Sequence, residues 1–100
     1  MRVQIHPYAE SDLNHQIDYL LLGNSGDSTI RKFKLAVRQA KGKIRDNPRT
    51  WSLVSGSTKV RKVQILEFRM QVFYSIQSNG VPLILEFAGP GLQPRWAERL

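Results

Sequence analysis

Apolar residues recur at helical spacing in two stretches of the first half of the chain. The first stretch opens at Pro7 or Ser11 and ends at Gly23, and the second ends at Asn47-Pro48. The apolar positions of the first are Ala9, Leu13, Ile17, Leu20 and Leu21, and those of the second are Ile30, Phe33, Val37, Ala40 and Ile44. Two amphipathic helices joined by the short loop GNSGDS predict an antiparallel helical hairpin.

The remaining apolar stretches have the composition and the bounding turn signals of β-strands. A short strand, MRVQI, precedes the helices and stops at His6-Pro7. After the helices come the candidate strands KVRKVQILEF, MQVFYSI and VPLILEFA. The resulting order, β-α-α-β-β-β, predicts one α+β domain over residues 1–100, with the helical hairpin packed on a largely antiparallel sheet. The second strand is expected to run antiparallel to the first, and PRWAER is expected to form a short C-terminal helical turn.

The dipeptide Asn79-Gly80 lies between the last two apolar runs and predicts a hairpin with a two-residue turn. That turn sets a register with three apolar cross-strand pairs, which are Ile76 with Leu83, Tyr74 with Leu85 and Val72 with Phe87. This face is expected to pack on the helices. The opposite face then carries Phe73 and Ile84, which only a terminal segment or another protein would cover, and we favour another protein.

The charge distribution adds a second expectation about partners. Fifteen Lys and Arg against eight Asp and Glu give a net charge of +7, which favours a polyanionic partner, either nucleic acid or an acidic protein. The second helix carries a separate stripe of cations, whose simplest interpretation is a solvated outer face; it consists of Arg31, Lys34, Arg38, Lys41 and Arg45. The chain has no cysteine and no apolar run near the ~20 residues of a membrane span, so we expect a cytoplasmic protein without membrane association.

Few residues point to catalysis. His6 and His15 lie on different elements and have no metal-ligating neighbours at suitable spacing, so no metal site or cofactor is expected. One metal-independent reaction stays open, the cleavage of RNA by its own 2′-hydroxyl with cations that stabilise the transition state. The cations available for it are Lys59, Arg61, Lys62, Arg69, Arg95 and Arg99. An evident general base is missing, because Tyr74 faces the predicted core.

Four stretches, PYAESDLNHQIDYL, VRKVQILEFRMQVFYSI, LILEFA and PRWAERL, together resemble the ParE/RelE family of bacterial toxin–antitoxin modules, which includes plasmid-stabilisation systems. The resemblance covers nearly the whole chain and implies the fold deduced above. It also implies a cognate antitoxin whose extended and helical segment wraps the toxin. The residues expected to bind it are Leu13, Ile17, Leu20, Phe73 and Ile84.

The family has two branches with different targets. RelE-like members cut mRNA on the ribosome without a metal, which here would use Lys59, Arg61, Lys62, Arg69 and Arg95. However, Gln71 stands where many members have an arginine, and the tail offers Trp96 without a tyrosine. ParE-like members poison DNA gyrase without chemistry of their own, and QPRWAERL is similar to their endings. We therefore favour a gyrase poison over an enzyme, with a non-toxic nucleic-acid-binding domain as a third possibility. The expected target-binding residues are Arg69, Arg95, Trp96 and Arg99.

Overall fold

The computed structural model describes residues 2–23, 26–90 and 93–100. Its strands and helices, in chain order, are β1 (Gln4–Ile5), α1 (Pro7–Leu22), α2 (Asp27–Asp46), β2 (Val60–Ile65), β3 (Met70–Ile76) and β4 (Pro82–Ala88). There are also two short 3₁₀ turns in the described residues: Leu66–Phe68 follows β2, and Trp96–Arg99 lies near the C-terminus. The α+β class and the predicted element order are confirmed. The expected loop GNSGDS lies partly outside the described residues, as does the Gly89-Pro90-Gly91 segment that follows the last strand.

Both helices begin and end close to the positions that the sequence indicates. His6 caps α1, since its Nδ1 accepts a hydrogen bond of 3.1 Å from the Tyr8 backbone N–H, and Pro7 occupies the first turn. Gly23 ends α1, and Asn47 ends α2 just before Pro48. Neither helix in the described part of the chain combines the length and apolar character needed to cross a membrane.

The four strands form one mixed sheet in the order β1-β4-β3-β2. β1 pairs with β4 in parallel, whereas the β2–β3 and β3–β4 pairs are antiparallel. β2 therefore runs in the same direction as β1, and the expectation that these strands are antiparallel is wrong. The reason is the long connection over residues 47–59, which carries the chain back along the sheet before β2 begins. Leu53 in this connection forms a bridge with Arg61.

The β3–β4 turn is one residue longer than predicted. Gly80, at φ +83°, ends a loop in which its N–H donates to Gln77 at 2.8 Å, while Gln77 N–H pairs with Val81. Asn79 does not have the positive φ that the predicted turn requires. The extra loop residue shifts the pairing by one position, so Tyr74 pairs with Ile84 and Ile76 with Pro82.

A bulge in β4 then cancels this shift. The register changes between Phe73 and Tyr74, and the predicted pair of Val72 with Phe87 is confirmed beyond it. The predicted partners of Tyr74 and Ile76 are wrong, because both residues lie between the longer loop and the bulge, where the pairing is shifted by one residue. Ile84 consequently packs on the helix side of the sheet, and Leu85 packs on the other side.

Each face of the sheet carries its own apolar cluster. The helix-side cluster includes Phe33, Val37, Ile44, Val72, Tyr74, Ile84 and Phe87, and the opposite cluster consists of Val60, Phe73, Leu85 and Ala88. Val54 and Trp96 pack against the opposite cluster and cover it. Phe73 and Ile84 are only 2% and 0% exposed, so the exposed apolar surface expected there is wrong. The chain's own loop and C-terminal segments cover Phe73, and the helices cover Ile84, so neither side chain offers surface to a partner.

Candidate functional site

The C-terminal tail, residues 93–100, lies against the sheet on the side away from the helices. The Trp96 ring centre is 6.4 Å from that of Phe73, and Trp96 packs on the apolar cluster around it. Just before it, the Arg95 backbone N–H donates a hydrogen bond of 2.7 Å to Glu86 Oε1. Trp96, expected among the target-binding residues, therefore anchors the tail on the sheet and stays only partly exposed.

Arg99 fixes the end of the tail to β4 and α1. Its Nη1 donates to Asp12 Oδ2 at 2.7 Å and to the Leu85 carbonyl at 2.8 Å. Asp12 Oδ2 also accepts the Phe87 N–H at 3.2 Å. The pairing of β1 with β4 reaches only to Ile84, so the Asp12–Arg99 pair satisfies backbone groups that the sheet edge leaves open.

This role for Arg99 differs from the one expected from the sequence. The Arg99 side chain is only 8% exposed, and its guanidinium carbon lies 5.5 Å from the centre of the Tyr8 ring. It therefore points into the fold and does not project toward a target. Arg95, by contrast, is exposed, so the tail presents one arginine and uses the other to hold itself in place.

A polar cavity of about 220 Å³ opens beside this ion pair. It is lined by Asp12, His15, Gln16, Glu86, Phe87, Gln93, Arg95 and Arg99. Burial raises the pKa of the Glu86 carboxyl, although the Arg95 N–H and the Arg99 charge act in the opposite direction. The cavity thus combines a carboxyl whose pKa is raised, an exposed imidazole and the exposed guanidinium of Arg95. Sequence reasoning missed it because α1 and the tail are far apart along the chain.

The cations expected to serve a ribonuclease diverge in space. Arg61 pairs across the sheet with Tyr74 on the helix side, and its Nη1 donates to the Trp51 carbonyl at 2.6 Å. Lys62 pairs with Phe73 and so lies on the tail side, while Lys59 is exposed just before β2. These three residues therefore do not share one face of the sheet.

Tyr74 cannot supply the missing base near neutral pH. Its hydroxyl donates to the Pro48 carbonyl at 2.5 Å. Burial raises the pKa of the Tyr74 hydroxyl to about 12, which keeps it protonated.

Arg69 occupies the end of the β2–β3 connection in a conformation that is rare for its type. Its φ of 53° places it in the left-handed region, and its side chain is exposed. It lines a cleft of about 250 Å³ together with Gln64 and Gln71. The described residues of this cleft include no acid, histidine or tyrosine. The cleft consequently offers charge and hydrogen bonds but no general base.

A second surface, the interhelical groove, lies between α1 and α2 and encloses about 230 Å³. Its apolar residues are Leu13, Ile17, Phe33 and Val37, and its cationic residues are Lys34, Arg38 and Lys41. Leu20, expected to contact a partner, packs on the helix-side core but stays partly exposed. Farther along α1, Leu21 follows Ile17 by four residues and is 55% exposed, so the apolar surface extends toward the helix end. Tyr19 and Leu22, exposed by 73% and 86%, lie on other sides of the helix.

Within the described ranges, no group of three or more acidic or histidine side chains is arranged to hold a metal ion. Comparison of the chain with protein-family models, curated proteins and solved structures gave no match.

Proposed function

We propose that this chain is the toxin of a type II toxin–antitoxin pair and acts in the ParE-like manner, by binding DNA gyrase and trapping its cleaved-DNA state. The observation that supports this most is the structure of the tail. Trp96 and Arg99, both within the ParE-like ending, fix the tail on the sheet. Arg95, directly before Trp96, stays exposed. A segment whose backbone is already fixed suits a binding poison, because that backbone loses little further entropy on binding.

Arg69 is the second residue that we assign to target binding. A left-handed conformation costs a residue with a Cβ about 1 kcal/mol or more, and such strain tends to persist where function requires it. Glycine would occupy this turn without that cost. The presence of an exposed arginine here favours a role for its charge over a role in folding.

The antitoxin of this proposal is an acidic amphipathic segment that binds the interhelical groove. Leu13 and Ile17 offer apolar contacts on one wall, and the cations of α2 stand beside them. The exposed Leu21, four residues after Ile17, extends this surface. Charge complementarity to a protein of net charge +7 would speed the encounter.

One observation favours a second candidate, the ribosome-dependent mRNA endoribonuclease. The cavity beside the tail brings His15, Glu86 and Arg95 to one place. In such an enzyme His15 would remove the proton from the RNA 2′-hydroxyl, Glu86 would protonate the leaving 5′-oxygen, and Arg95 would stabilise the charged phosphorane. The attacking and leaving oxygens are both the substrate's own, so this reaction needs no metal.

Expression of the chain without an antitoxin separates these functions. A gyrase poison produces filamentous cells with double-strand breaks and intact mRNA, whereas an endoribonuclease produces cut transcripts without DNA damage. Replacing both Arg69 and Arg95 by alanine should abolish the gyrase phenotype, while the His15→Ala variant should retain it. Since Arg95 serves in both functions, His15→Ala is the variant that discriminates: cut transcripts that disappear in His15→Ala would support the endoribonuclease. Growth without either lesion would support a non-toxic nucleic-acid-binding domain.

A further inference from the structure

One face of α2, beside the interhelical groove, is strongly charged. Between residues 31 and 46 there are seven Lys and Arg residues and a single acid, Asp46. Five of the cations form the α2 cation stripe, which consists of Arg31, Lys34, Arg38, Lys41 and Arg45. Four of these five residues are exposed, and Lys41 is half-buried.

Most of the charge on this stripe is not neutralised by the protein. In the described ranges the ion pairs are Arg45 with Asp46 and Arg99 with Asp12. Arg31 donates from Nε to the Asp27 carbonyl in a long bond of 3.4 Å. Lys34, Arg38 and Lys41 are therefore left with full charge in a row. Mutual repulsion among them is a cost that an anionic partner would remove.

The stripe has the dimensions of a nucleic-acid backbone contact. At a rise of about 1.5 Å per residue, it extends over about 21 Å of helix, with neighbouring cations separated by about 4.5–6 Å along the axis. The phosphates of one strand of duplex DNA rise about 3.4 Å per step. Because the helix is about 10–12 Å wide and the major groove about 12 Å, several stripe cations can reach phosphates together.

The composition of the stripe favours a duplex over a single strand. Its five residues are all Lys or Arg, and no aromatic side chain lies among them. Binding of single strands commonly depends on bases that stack on aromatic rings, and the stripe has none to offer. Contacts from cations to phosphates position a protein on a duplex but carry no sequence information.

We propose that the α2 cation stripe binds the phosphate backbone of duplex DNA without reading its sequence. The identification of the physiological duplex as DNA held by gyrase rests on the proposed function, whereas the binding of duplex DNA does not. Lys34, Arg38 and Lys41 also border the interhelical groove. An acidic segment seated in that groove therefore competes with DNA for the same three cations, so that neutralisation and DNA release occur together.

The test is the salt dependence of binding to a short labelled DNA duplex of mixed sequence, measured by fluorescence anisotropy. The stripe variant carries Lys34→Gln, Arg38→Gln and Lys41→Gln, since glutamine keeps a high helix propensity. A matched control carries Arg2→Gln, Lys32→Gln and Arg49→Gln, which removes the same charge from exposed positions off the stripe. Circular dichroism verifies that both variants are folded.

For the unmodified protein, the logarithm of the association constant should fall with the logarithm of salt concentration with a slope of about −4. The stripe variant should lose about 3 units of that slope and most of its affinity at low salt, because each phosphate contact contributes about 0.9. The control should keep a slope close to the original. Equal losses in both variants, or an unmodified protein that does not bind, would overturn the proposal.

Two further probes check the assignment to duplex DNA. Single-stranded DNA and duplex RNA of matched length should bind more weakly, and tighter binding of either would contradict the assignment. Failure here is distinct from failure of the proposed function. If the stripe variant loses DNA binding while the protein does not affect gyrase, the gyrase proposal fails and the DNA site stands. If gyrase is poisoned but duplex DNA does not bind, the DNA site fails and the gyrase proposal stands.

Discussion

Arg99 Nη1 lies 2.7 Å from Asp12 Oδ2, and this ion pair joins the last turn of the chain to its first helix. The same Arg99 atom binds the Leu85 carbonyl, and the same Asp12 oxygen accepts the Phe87 N–H. The pair thereby continues the edge of the sheet where β1 stops. The position of the tail, including the exposed Arg95, depends on this contact.

Replacing Arg99 by alanine should lower the free energy of unfolding by about 3 kcal/mol. The change leaves Asp12 with one of its partners removed and leaves the Leu85 carbonyl unsatisfied at the sheet edge. Urea denaturation followed by circular dichroism measures the loss. Lysine at the same position keeps the charge but not the forked geometry, so Arg99→Lys should recover only part of the lost stability. An Arg99→Ala variant as stable as the unmodified protein would show that the ion pair does not hold the tail.

Replacing Trp96 by alanine should cost about 2–3 kcal/mol, less than full truncation of a buried tryptophan because the side chain is partly exposed. The loss arises from uncovering Phe73 and the cluster around it. Thermal and urea unfolding both measure it, and Trp96→Phe serves as the matched control because it preserves the aromatic contact. Binding of a hydrophobic dye reports whether the cluster around Phe73 is uncovered. If Trp96→Ala binds no more dye than Trp96→Phe, Trp96 does not cover this cluster.

Glu86 should make the protein less stable as pH rises above 4.5, the ordinary pKa of its carboxyl. Because burial raises its pKa in the folded state, the folded protein holds a proton that the unfolded chain has released, and stability falls as pH increases through the raised value. Glutamine at this position can still accept the Arg95 N–H but does not ionise. The difference in unfolding free energy between the unmodified protein and Glu86→Gln should therefore change across this range. A difference independent of pH would contradict the raised pKa.

Arg69→Gly should raise the free energy of unfolding by about 0.5–1 kcal/mol while lowering toxicity. Glycine relieves the left-handed backbone at φ 53°, and the same change removes the charge that we assign to the target. Arg69→Ala is the control, since it removes the charge and retains the backbone strain. Denaturation and growth of cells expressing each variant give the two measurements. Full toxicity in both variants would exclude Arg69 from the target interface.

The local elements of this fold could be predicted from periodicity and turn chemistry. The helical stripes of α1 and α2, and their ends near Gly23 and Asn47, match the structure because the pattern and the caps act within a few residues. The predicted direction of β2 was wrong because the long connection before this strand carries no periodic signal. The β3–β4 register was partly wrong because the added loop residue and the bulge at Leu85 compensate each other.

The candidate site was less accessible to sequence reasoning. Arg95, Trp96 and Arg99 stand out as a motif, yet nothing in the motif distinguishes the exposed Arg95 from the buried Arg99. That distinction depends on Asp12, which is distant in sequence and becomes a neighbour only in the folded chain. The burial of Phe73 likewise depends on the tail folding back over it.

Purified components show whether the protein poisons DNA gyrase. The chain is incubated with gyrase, ATP and supercoiled plasmid, and the reaction is stopped with detergent and protease. Linear plasmid should accumulate in proportion to the added protein, and the variant with alanine at both Arg69 and Arg95 should give none. Undiminished supercoiling without linear product, together with cleavage of mRNA on added ribosomes, would contradict the gyrase proposal.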